Sequence, residues 1–240
     1  MKEFILDTHS HTVASGHAYG TVLEMARAAS ERGLQLLAIT DHAPALEGSC
    51  SEIHFRNFKV IDQYLYGVEI LMGAELNIMD YEGNVDLGPE VLKKLPLCIA
   101  SLHTICLKPG TKKENTRTLL KVMENPYVHI IGHPDDGWYE IDYEAMVREA
   151  KAQHVLIEIN NSSLVPGGSR IHCEENMRTI LRYCERYGQE IVVNTDSHFP
   201  TSVGRFDEAR ALLEAVSFPE ELIVNTDVEK LKKYRNRTGL

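Results

Sequence analysis

The stretch FILDTHSH, residues 4–11, places two histidines directly after a short apolar run. Phe4 to His9 has the composition of a β-strand, and side chains alternate along a strand. His9 and His11 therefore point to the same side of the chain as the strand ends. Two neutral imidazoles that converge in this way supply half of the ligands of a metal site.

Potential ligands recur at the ends of nearly all later strand-like segments. They are Asp41-His42, Glu75, His103, His133 and Asp196-Ser197-His198. In a parallel barrel, functional side chains come from the carboxyl ends of many strands and converge on one face. In an open doubly wound sheet they cluster at one switch point instead. The spread of ligands along this chain favours a closed barrel.

Strand-like and helix-like segments alternate through almost the whole chain. The predicted strands are 4–9, 34–40, 68–78, 97–102, 128–132, 155–159 and 190–195, with a short possible strand at 222–225. The predicted helices are 21–32, 56–66, 113–124, 143–153, 174–187, 206–216 and 228–234. Gly33 and Gly188 are expected to end two of the helices. This alternation predicts an α/β fold, and we expect a single domain over residues 1–240.

Composition excludes several classes of function. The 240 residues are 43% hydrophobic and carry a formal net charge of −10. Non-specific binders of nucleic acid or of anionic membranes need a basic field, which this chain lacks. The five cysteines are an odd number without a CxxC pair, and no apolar run is long enough to span a bilayer. We therefore expect a cytoplasmic protein with reduced thiols.

Nine residues are candidate metal ligands. They are His9, His11, His17, His42, Glu75, His103, His133, Asp196 and His198. Seven imidazoles and two carboxylates are too many for one tetrahedral ion, and they suit two or three divalent ions with a bridging carboxylate. Such ions lie about 3.5–4 Å apart, the spacing used in phosphoryl displacement. Three divalent ions carry six positive charges, which would reduce the formal net charge from −10 to −4.

The sequence resembles the PHP (polymerase and histidinol phosphatase) family, in particular its short stand-alone bacterial phosphatases. The motifs that carry the resemblance are His9-Ser10-His11, Thr40-Asp41-His42, Gly73-Ala74-Glu75, Ser101-Leu102-His103, Gly132-His133-Pro134 and Asp196-Ser197-His198. The stretches 158–163 and Val203-Gly204 are also similar to this branch. The motifs follow one another in the order that the family has.

The resemblance implies a distorted TIM-like (β/α)7 barrel with three metal ions. By analogy, His9, His11, Glu75 and Asp196 hold the first ion. Glu75 also bridges to the second ion, which His103 and His133 complete. The third ion is held by His17, His42 and His198. Histidine-rich sites suit Zn²⁺ best, and metal availability can place Mn²⁺ or Fe²⁺ there instead.

Together with these ligands, the resemblance implies a metal-dependent phosphatase for small phosphate monoesters. The hypothesis is direct attack by a metal-bound hydroxide, which His9, His11, Glu75 and Asp196 would hold, without a phospho-enzyme. The candidates for contact with the substrate phosphate are Arg170, Ser169 and Lys108, which lie in loops after two predicted strands. We expect the partner to be a small phosphorylated metabolite, and an oligomer is possible.

Several alternatives stay open. The same fold suits a phosphodiesterase or nuclease, a histidinol-phosphate phosphatase, an amidohydrolase, or a metal-binding module without catalysis. His17 is an alternative acid for the leaving group. Asp41 and Asp135 are expected either to orient the neighbouring ligand imidazoles or to serve in local turns. The remaining histidines are expected to lie outside the metal centre: His54, His129, His154 and His172.

Overall fold

The computed structural model describes residues 1–237, so the end of the predicted domain, 238–240, lies outside the described residues. The strands are β1 Leu6–Asp7, β2 Leu36–Ile39, β3 Tyr64–Leu65, β4 Val68–Met72, β5 Ala74–Asn77, β6 Cys98–Ser101, β7 Ile130–Ile131, β8 Leu156–Asn160 and β9 Ile191–Asn194. The helices are α1 Val22–Glu31, α2 Glu52–Arg56, α3 Pro89–Leu92, α4 Lys112–Met123, α5 Tyr143–Gln153, α6 Cys173–Tyr187, α7 Asp207–Ala215 and α8 Val228–Arg235. The predicted α/β class is confirmed.

The strands form two sheets. The first has the order β1-β2-β4-β3, and the second has the order β5-β6-β7-β8-β9. Neighbouring strands are parallel except for β3, which pairs antiparallel with the edge of β4. Beyond the strand ends, isolated parallel bridges join Ser10 to Ser197 and His42 to Glu75. These bridges bring the carboxyl ends of both sheets together.

The helix ends follow from the local sequence. Thr21 and Glu24 form a reciprocal capping box at the start of α1, and Thr111 and Glu114 form another at the start of α4. Gly188 takes the left-handed conformation directly after α6, as a glycine at this position readily does. None of the helices within residues 1–237 has both the length and the hydrophobicity needed to cross a bilayer.

The core has two parts. The larger cluster lies between the sheets and their helices. The smaller cluster takes buried side chains from seven strands of both sheets and from the C-terminal segment. Its members are Leu6, Leu36, Ala38, Leu71, Leu97, Ile99, Ile130, Leu156, Val192, Val224, Leu231 and Tyr234. Both sheets and α8 therefore contribute side chains to this smaller buried cluster.

Two predictions about the first half of the chain are wrong. The predicted helix at 56–66 instead contains the end of α2, a short 3₁₀ helix and β3. Tyr66 and Gly67 both have positive φ, at 52° and 82°, and such a two-residue turn favours a hairpin. The predicted strand 68–78 is divided at Gly73, where β4 leaves the first sheet and β5 enters the second.

The predicted strand at 222–225 is also wrong. The structure has 3₁₀ helices at Glu220–Leu222 and Val224–Thr226. Between them, Ile223 makes one parallel bridge to Ile191. The buried Asn225 side chain bonds to the backbones of Leu6 and Val193, so it takes backbone groups that a longer strand would use.

Candidate metal centre

Seven of the nine candidate ligands lie within four residues after the carboxyl ends of β1, β2, β6, β7 and β9. Glu75 is the second residue of β5, and His17 lies in the longer loop that follows β1. His17 is exposed and His103 and His198 are half-buried, whereas the other six are buried. The Glu75 carboxylate lies at the centre of the group and is almost fully buried.

One carboxylate oxygen of Glu75 lies close to two imidazole nitrogens, which also lie close to an oxygen of Asp196. Glu75 Oε2 lies 3.4 Å from His9 Nε2 and 3.6 Å from His11 Nε2. Asp196 Oδ1 lies 3.6 Å and 3.1 Å from the same two nitrogens. Ligands about 2.0–2.1 Å from a tetrahedral ion are about 3.3 Å apart. His9, His11 and Asp196 form a group whose donor atoms are close enough to hold one divalent ion, and Glu75 Oε2 lies next to the two imidazoles of this group.

The other oxygen of Glu75 faces a second pair of imidazoles. Glu75 Oε1 lies 3.3 Å from His103 Nε2 and 3.0 Å from His133 Nε2. One carboxylate thus contacts two separate groups of nitrogen donors through its two oxygens. A carboxylate with nitrogen donors on both sides could be shared by two divalent ions.

His17, His42 and His198 form the outer part of the cluster. His17 Nε2 and His198 Nε2 lie 3.0 Å apart. The His42 ring stacks on His17 and on His11, with centroids 5.0 Å and 4.4 Å apart. His42 Nδ1 also lies 2.7 Å from Glu75 Oε2. His42 is therefore close to the first group as well as to the third.

Hydrogen bonds orient five of the seven rings with Nε2 towards the other ligands. The acceptors that face Nδ1 are Glu158 Oε1 for His9 (2.7 Å), Ser15 Oγ for His11 (3.1 Å), the Ser15 carbonyl for His17 (3.0 Å), Asn77 Oδ1 for His103 (2.7 Å) and the Asp196 carbonyl for His198 (2.9 Å). A neutral imidazole that donates from Nδ1 carries its free lone pair on Nε2. Metal-binding histidines are oriented in this way.

Unpartnered polar atoms mark the same place. His9 Nε2, His42 Nδ1 and Glu75 Oε2 are buried and make no hydrogen bond of suitable geometry within residues 1–237, although His42 Nδ1 and Glu75 Oε2 lie 2.7 Å apart. Buried polar atoms are costly unless they are paired. Three electron-pair donors that face one another are satisfied by a cation, so this donor set fits divalent metal ions.

The electrostatics also suit a cation. Burial alone raises the pKa of Glu75 and Asp196, but the surrounding imidazoles outweigh it and hold both pKa values well below the usual range. Burial lowers the pKa of His11 to about 3. Burial also opposes protonation of His9, but Glu158 and Asp196 raise the pKa of this ring well above its ordinary value. Metal binding would therefore displace a proton from His9.

Two of the candidate ligands have an unusual backbone conformation. His133 has a φ of 26° and Asp196 has a φ of 52°. Residues other than glycine seldom take positive φ, and each such residue costs about 1–3 kcal/mol. Strain of this kind is concentrated at functional sites, where it directs a side chain.

A cavity of about 310 Å³ opens beside the cluster. Its walls are His17, His42, Leu46, His103, Ser162, Ser163, Gly168, Ser169, Arg170, Asp196 and His198. Arg170 donates from Nη2 to Asp196 Oδ2 at 2.9 Å and from Nη1 to Ser163 Oγ at 3.0 Å. Arg170 and Ser169, two of the three predicted phosphate contacts, both line this cavity. Lys108 is exposed and is not part of the cavity wall.

Glu158, which lies in a stretch similar to the PHP family, is not among the nine candidate ligands, and its contacts were not predicted. It is fully buried, and its four hydrogen bonds come from His9 Nδ1, Asn194 Nδ2, the His133 amide and Asn160 Nδ2, at 2.7, 2.8, 2.7 and 3.0 Å. It therefore holds one ligand ring and the backbone of another. The available signal was a carboxylate within an otherwise apolar buried strand, because such a residue needs several donors.

Asp41 and Asp135 were expected either to orient the candidate ligand imidazoles next to them in sequence or to serve in local turns. Asp41 bonds to Thr12 and Ser15, and its carboxylate does not bond to the His42 ring. Asp135 is fully buried, its carboxylate oxygens have no hydrogen-bond partner within the described residues, and burial raises its pKa to about 6. Neither aspartate orients the imidazole next to it in sequence.

Among the described residues, none of the four histidines expected to lie outside the metal centre belongs to a group that could hold an ion. His129 accepts a hydrogen bond from the Cys98 amide, and His154 stacks on Tyr234 with centroids 4.3 Å apart. His172 lies at the start of α6 and outside the cavity. His54 Nε2 lies 3.5 Å from Asp41 Oδ2, and Asp41 is not one of the nine candidate ligands.

The sequence matches a known family along most of its length. The PHP domain profile matches residues 7–217. The chain belongs to the PHP family. Among curated relatives, a probable phosphatase of Clostridium novyi is 46% identical to this PHP protein over 237 residues, which cover 99% of this chain and 96% of the relative. A probable phosphatase of Acetivibrio thermocellus is 47% identical over 235 residues, with 98% and 96% covered.

Solved structures share the fold of this PHP protein at low sequence identity. Histidinol phosphate phosphatase from Lactococcus lactis, in complex with zinc, L-histidinol and phosphate, has a TM-score of 0.62 at 19% identity. The match covers 89% of this chain and 94% of that one. A chain in archaeal ribonuclease P with mature tRNA has a TM-score of 0.61 at 17% identity, with 96% and 91% covered.

Proposed function

We propose that this PHP protein is a metal-dependent phosphatase that hydrolyses small phosphate monoesters. The observation that carries the proposal is the arrangement around Glu75. Seven imidazoles and two carboxylates converge there, most rings present Nε2 inward, and an arginine borders the adjoining cavity. The names of the curated relatives, probable phosphatases, support the same activity.

Three divalent ions would fit the donor groups. His9, His11, Glu75 and Asp196 would hold the first ion, Glu75, His103 and His133 the second, and His17, His42 and His198 the third. Zn²⁺ suits this nitrogen-rich set best, with Mn²⁺ or Fe²⁺ as alternatives. Bound ions would lower the pKa of a coordinated water towards about 7 and so supply hydroxide for direct attack on phosphorus.

The chain's own residues would position the substrate. Arg170 presents two N–H groups at the cavity and would bind phosphate oxygens in place of its present partners. Ser169 borders the same cavity and would donate to another phosphate oxygen. The cavity wall contains no cysteine among the described residues, which agrees with a mechanism that needs no thiol nucleophile. The exposed Lys108 side chain would have to turn towards the cavity to contact the substrate phosphate.

We also propose that the two sheets act as one distorted TIM-like (β/α)7 barrel and that the chain is a single domain. The bridges Ser10–Ser197 and His42–Glu75 support closure at the carboxyl ends. The smaller core cluster supports it inside, because both sheets contribute to that cluster. The five free cysteines support a cytoplasmic location, where thiols stay reduced.

Metal analysis and a substrate panel test the function. The purified protein is expected to contain up to three equivalents of zinc, manganese or iron by elemental analysis. It is expected to hydrolyse p-nitrophenyl phosphate faster than bis-p-nitrophenyl phosphate or a lactone. Glu75→Gln is expected to abolish the activity, whereas Glu82→Gln, an exposed control, is not. Activity on the diester or the lactone alone would refute the proposal.

Isotope and metabolite experiments test the mechanism and the substrate. Single-turnover hydrolysis in ¹⁸O-water is expected to place solvent oxygen in the product phosphate, and phosphate without it would exclude direct attack. A screen of phosphorylated metabolites that includes L-histidinol phosphate would separate a general monoesterase from a histidinol-phosphate phosphatase. The formal net charge of −10 favours small substrates over nucleic acid.

A further inference from the structure

We propose that His54 is a positioning residue for the first metal ion, which it reaches through Asp41, Ser15 and His11. His54 contacts the Asp41 carboxylate, Asp41 fixes the Ser15 hydroxyl, and Ser15 fixes the ring of His11. The inference rests on the proposed role of His11 as a metal ligand. His54 itself does not touch the cavity.

The Ser15 hydroxyl determines which nitrogen of His11 carries the proton. Ser15 Oγ lies 2.7 Å from Asp41 Oδ1, 3.1 Å from His11 Nδ1 and 3.1 Å from the amide nitrogen of His42. A hydroxyl has one proton to donate, and an ionised carboxylate can only accept. Ser15 must therefore donate to Asp41 and accept from both nitrogens. His11 then donates from Nδ1, and its lone pair is on Nε2, which faces Glu75 and Asp196.

The Asp41 carboxylate accepts hydrogen bonds from several neighbouring groups. It is fully buried and accepts from the Thr12 amide at 2.7 Å and from Thr12 Oγ at 2.8 Å, in addition to Ser15. His54 is the one basic group within 4.0 Å of its carboxylate among residues 1–237. His54 Nε2 lies 3.5 Å from Asp41 Oδ2 and makes no hydrogen bond within residues 1–237, so His54 adds a charge contact to the three hydrogen bonds that Asp41 already accepts.

The charge state of His54 supports this role. Burial alone would lower the pKa of His54, but the nearby Asp41 carboxylate and the Cys50 thiol raise it to about 9. The ring is thus an imidazolium at neutral pH. Its edge contacts with Phe55 and Phe58, at centroid distances of 5.2 and 5.0 Å, keep the ring in place.

His54 can be reached from outside without passing the metal centre. It lies in α2 and borders a separate cleft of about 670 Å³, together with Cys50, Phe58 and Ile61. This cleft shares no wall residue with the 310 Å³ cavity at the metal centre. In His54→Ala, the space left by the missing ring would open into this cleft, so free imidazole could enter it from solvent.

Zinc affinity of paired variants tests the inference. Glutamine can place an amide N–H near the position of His54 Nε2, whereas asparagine is too short. Competition with a zinc-chelating dye is expected to show about tenfold weaker binding of the tightest zinc in His54→Asn, in the range typical for partners of metal ligands. His54→Gln is expected to stay within about threefold of the wild type. Added imidazole is expected to restore zinc binding in His54→Ala.

Controls separate this role from a general loss of structure. His154→Asn makes the same change in a histidine outside the relay and is expected to bind zinc like the wild type. Urea unfolding in the presence of chelator checks that each variant folds. Equal zinc affinity in the wild type and His54→Asn would overturn this inference alone, as would equal loss in His54→Asn and His54→Gln. A wild-type protein that binds no zinc would overturn the proposed metal site as well.

Discussion

Replacement of Glu158 by glutamine is the sharpest single test of the site. Each carboxylate oxygen accepts two hydrogen bonds: one faces His9 Nδ1 and Asn194 Nδ2, and the other faces the His133 amide and Asn160 Nδ2. All four partners are donors. A glutamine has one oxygen and one NH₂ group, so either orientation turns the NH₂ towards two donors.

The two orientations have different costs. If the NH₂ faces the His133 amide, two donors lose a charged acceptor, at about 1.5–3 kcal/mol each. The unfolding free energy would then fall by about 3–6 kcal/mol. If the NH₂ faces His9, the ring must accept through Nδ1, which places its proton on Nε2. His9 could then no longer ligate an ion, and zinc affinity would fall about 10–100-fold.

Two measurements distinguish these outcomes from no effect. Urea unfolding with chelator reports the stability, and competition with a chelating dye reports the zinc affinity. Glu124→Gln is the matched control, because Glu124 is exposed and pairs with Lys121 at 3.3 Å; its unfolding free energy is expected to change by less than about 0.5 kcal/mol. A Glu158→Gln variant with wild-type stability and wild-type zinc affinity would refute the assignment of Glu158 as the partner of His9.

Three further substitutions test other parts of the structure. The native pKa of Asp135, about 6, lies above its ordinary value of 3.8, so its contribution to stability is complete below about pH 4 and is lost as the pH rises through 6. In urea unfolding, the unfolding free energy of Asp135→Asn is therefore expected to exceed that of the wild type at pH 7 by up to about 3 kcal/mol, with no difference near pH 4. Lower stability of the variant at pH 7 would show that Arg170 makes the carboxylate stabilising. Asp136→Asn is the control. Arg170→Lys is expected to raise KM for p-nitrophenyl phosphate about tenfold, equivalent to about 1.4 kcal/mol, because lysine cannot donate in two directions at once; an unchanged KM in steady-state kinetics would exclude Arg170 from phosphate binding. A Cβ at Gly73 would lie 2.3 Å from the Leu97 carbonyl oxygen, so Gly73→Ala is expected to lose about 1–3 kcal/mol in urea unfolding, whereas Gly88→Ala, with open space around it, is expected to change little.

The local sequence was informative where the signal is short-range. The boundaries of α1, α4, α5 and α6 agree with the predicted helices within about two residues, because caps and glycine stops act on neighbouring groups. The hairpin turn at Tyr66-Gly67 was missed because only the glycine is a typical turn residue. The division at Gly73 was missed because the apolar run continues across it, and the close approach of Leu97 that requires a glycine is a tertiary contact.

In the candidate site, too, local patterns were predictable and tertiary contacts were not. The spacing of His9 and His11 and the recurrence of His and acidic residues at strand ends predicted nine candidate ligands that the structure brings close together, since parallel strands bring their carboxyl ends together. The residues that hold those ligands were harder to identify. Glu158, Asn77 and Ser15 have ordinary sequence surroundings, and their roles follow from contacts with residues up to 149 positions away.

The sequence by itself determined the α/β class, the family and the set of residues that can ligate metal, because each depends on residue type and local period. The tertiary structure alone decided which oxygen of Glu75 faces which imidazoles, that Glu158 holds His9, and that Asp41 bonds to Ser15 and not to the His42 ring. These pairings depend on angstrom-scale distances between side chains from different strands. Such distances are set by packing of the whole chain and leave no trace in any single segment.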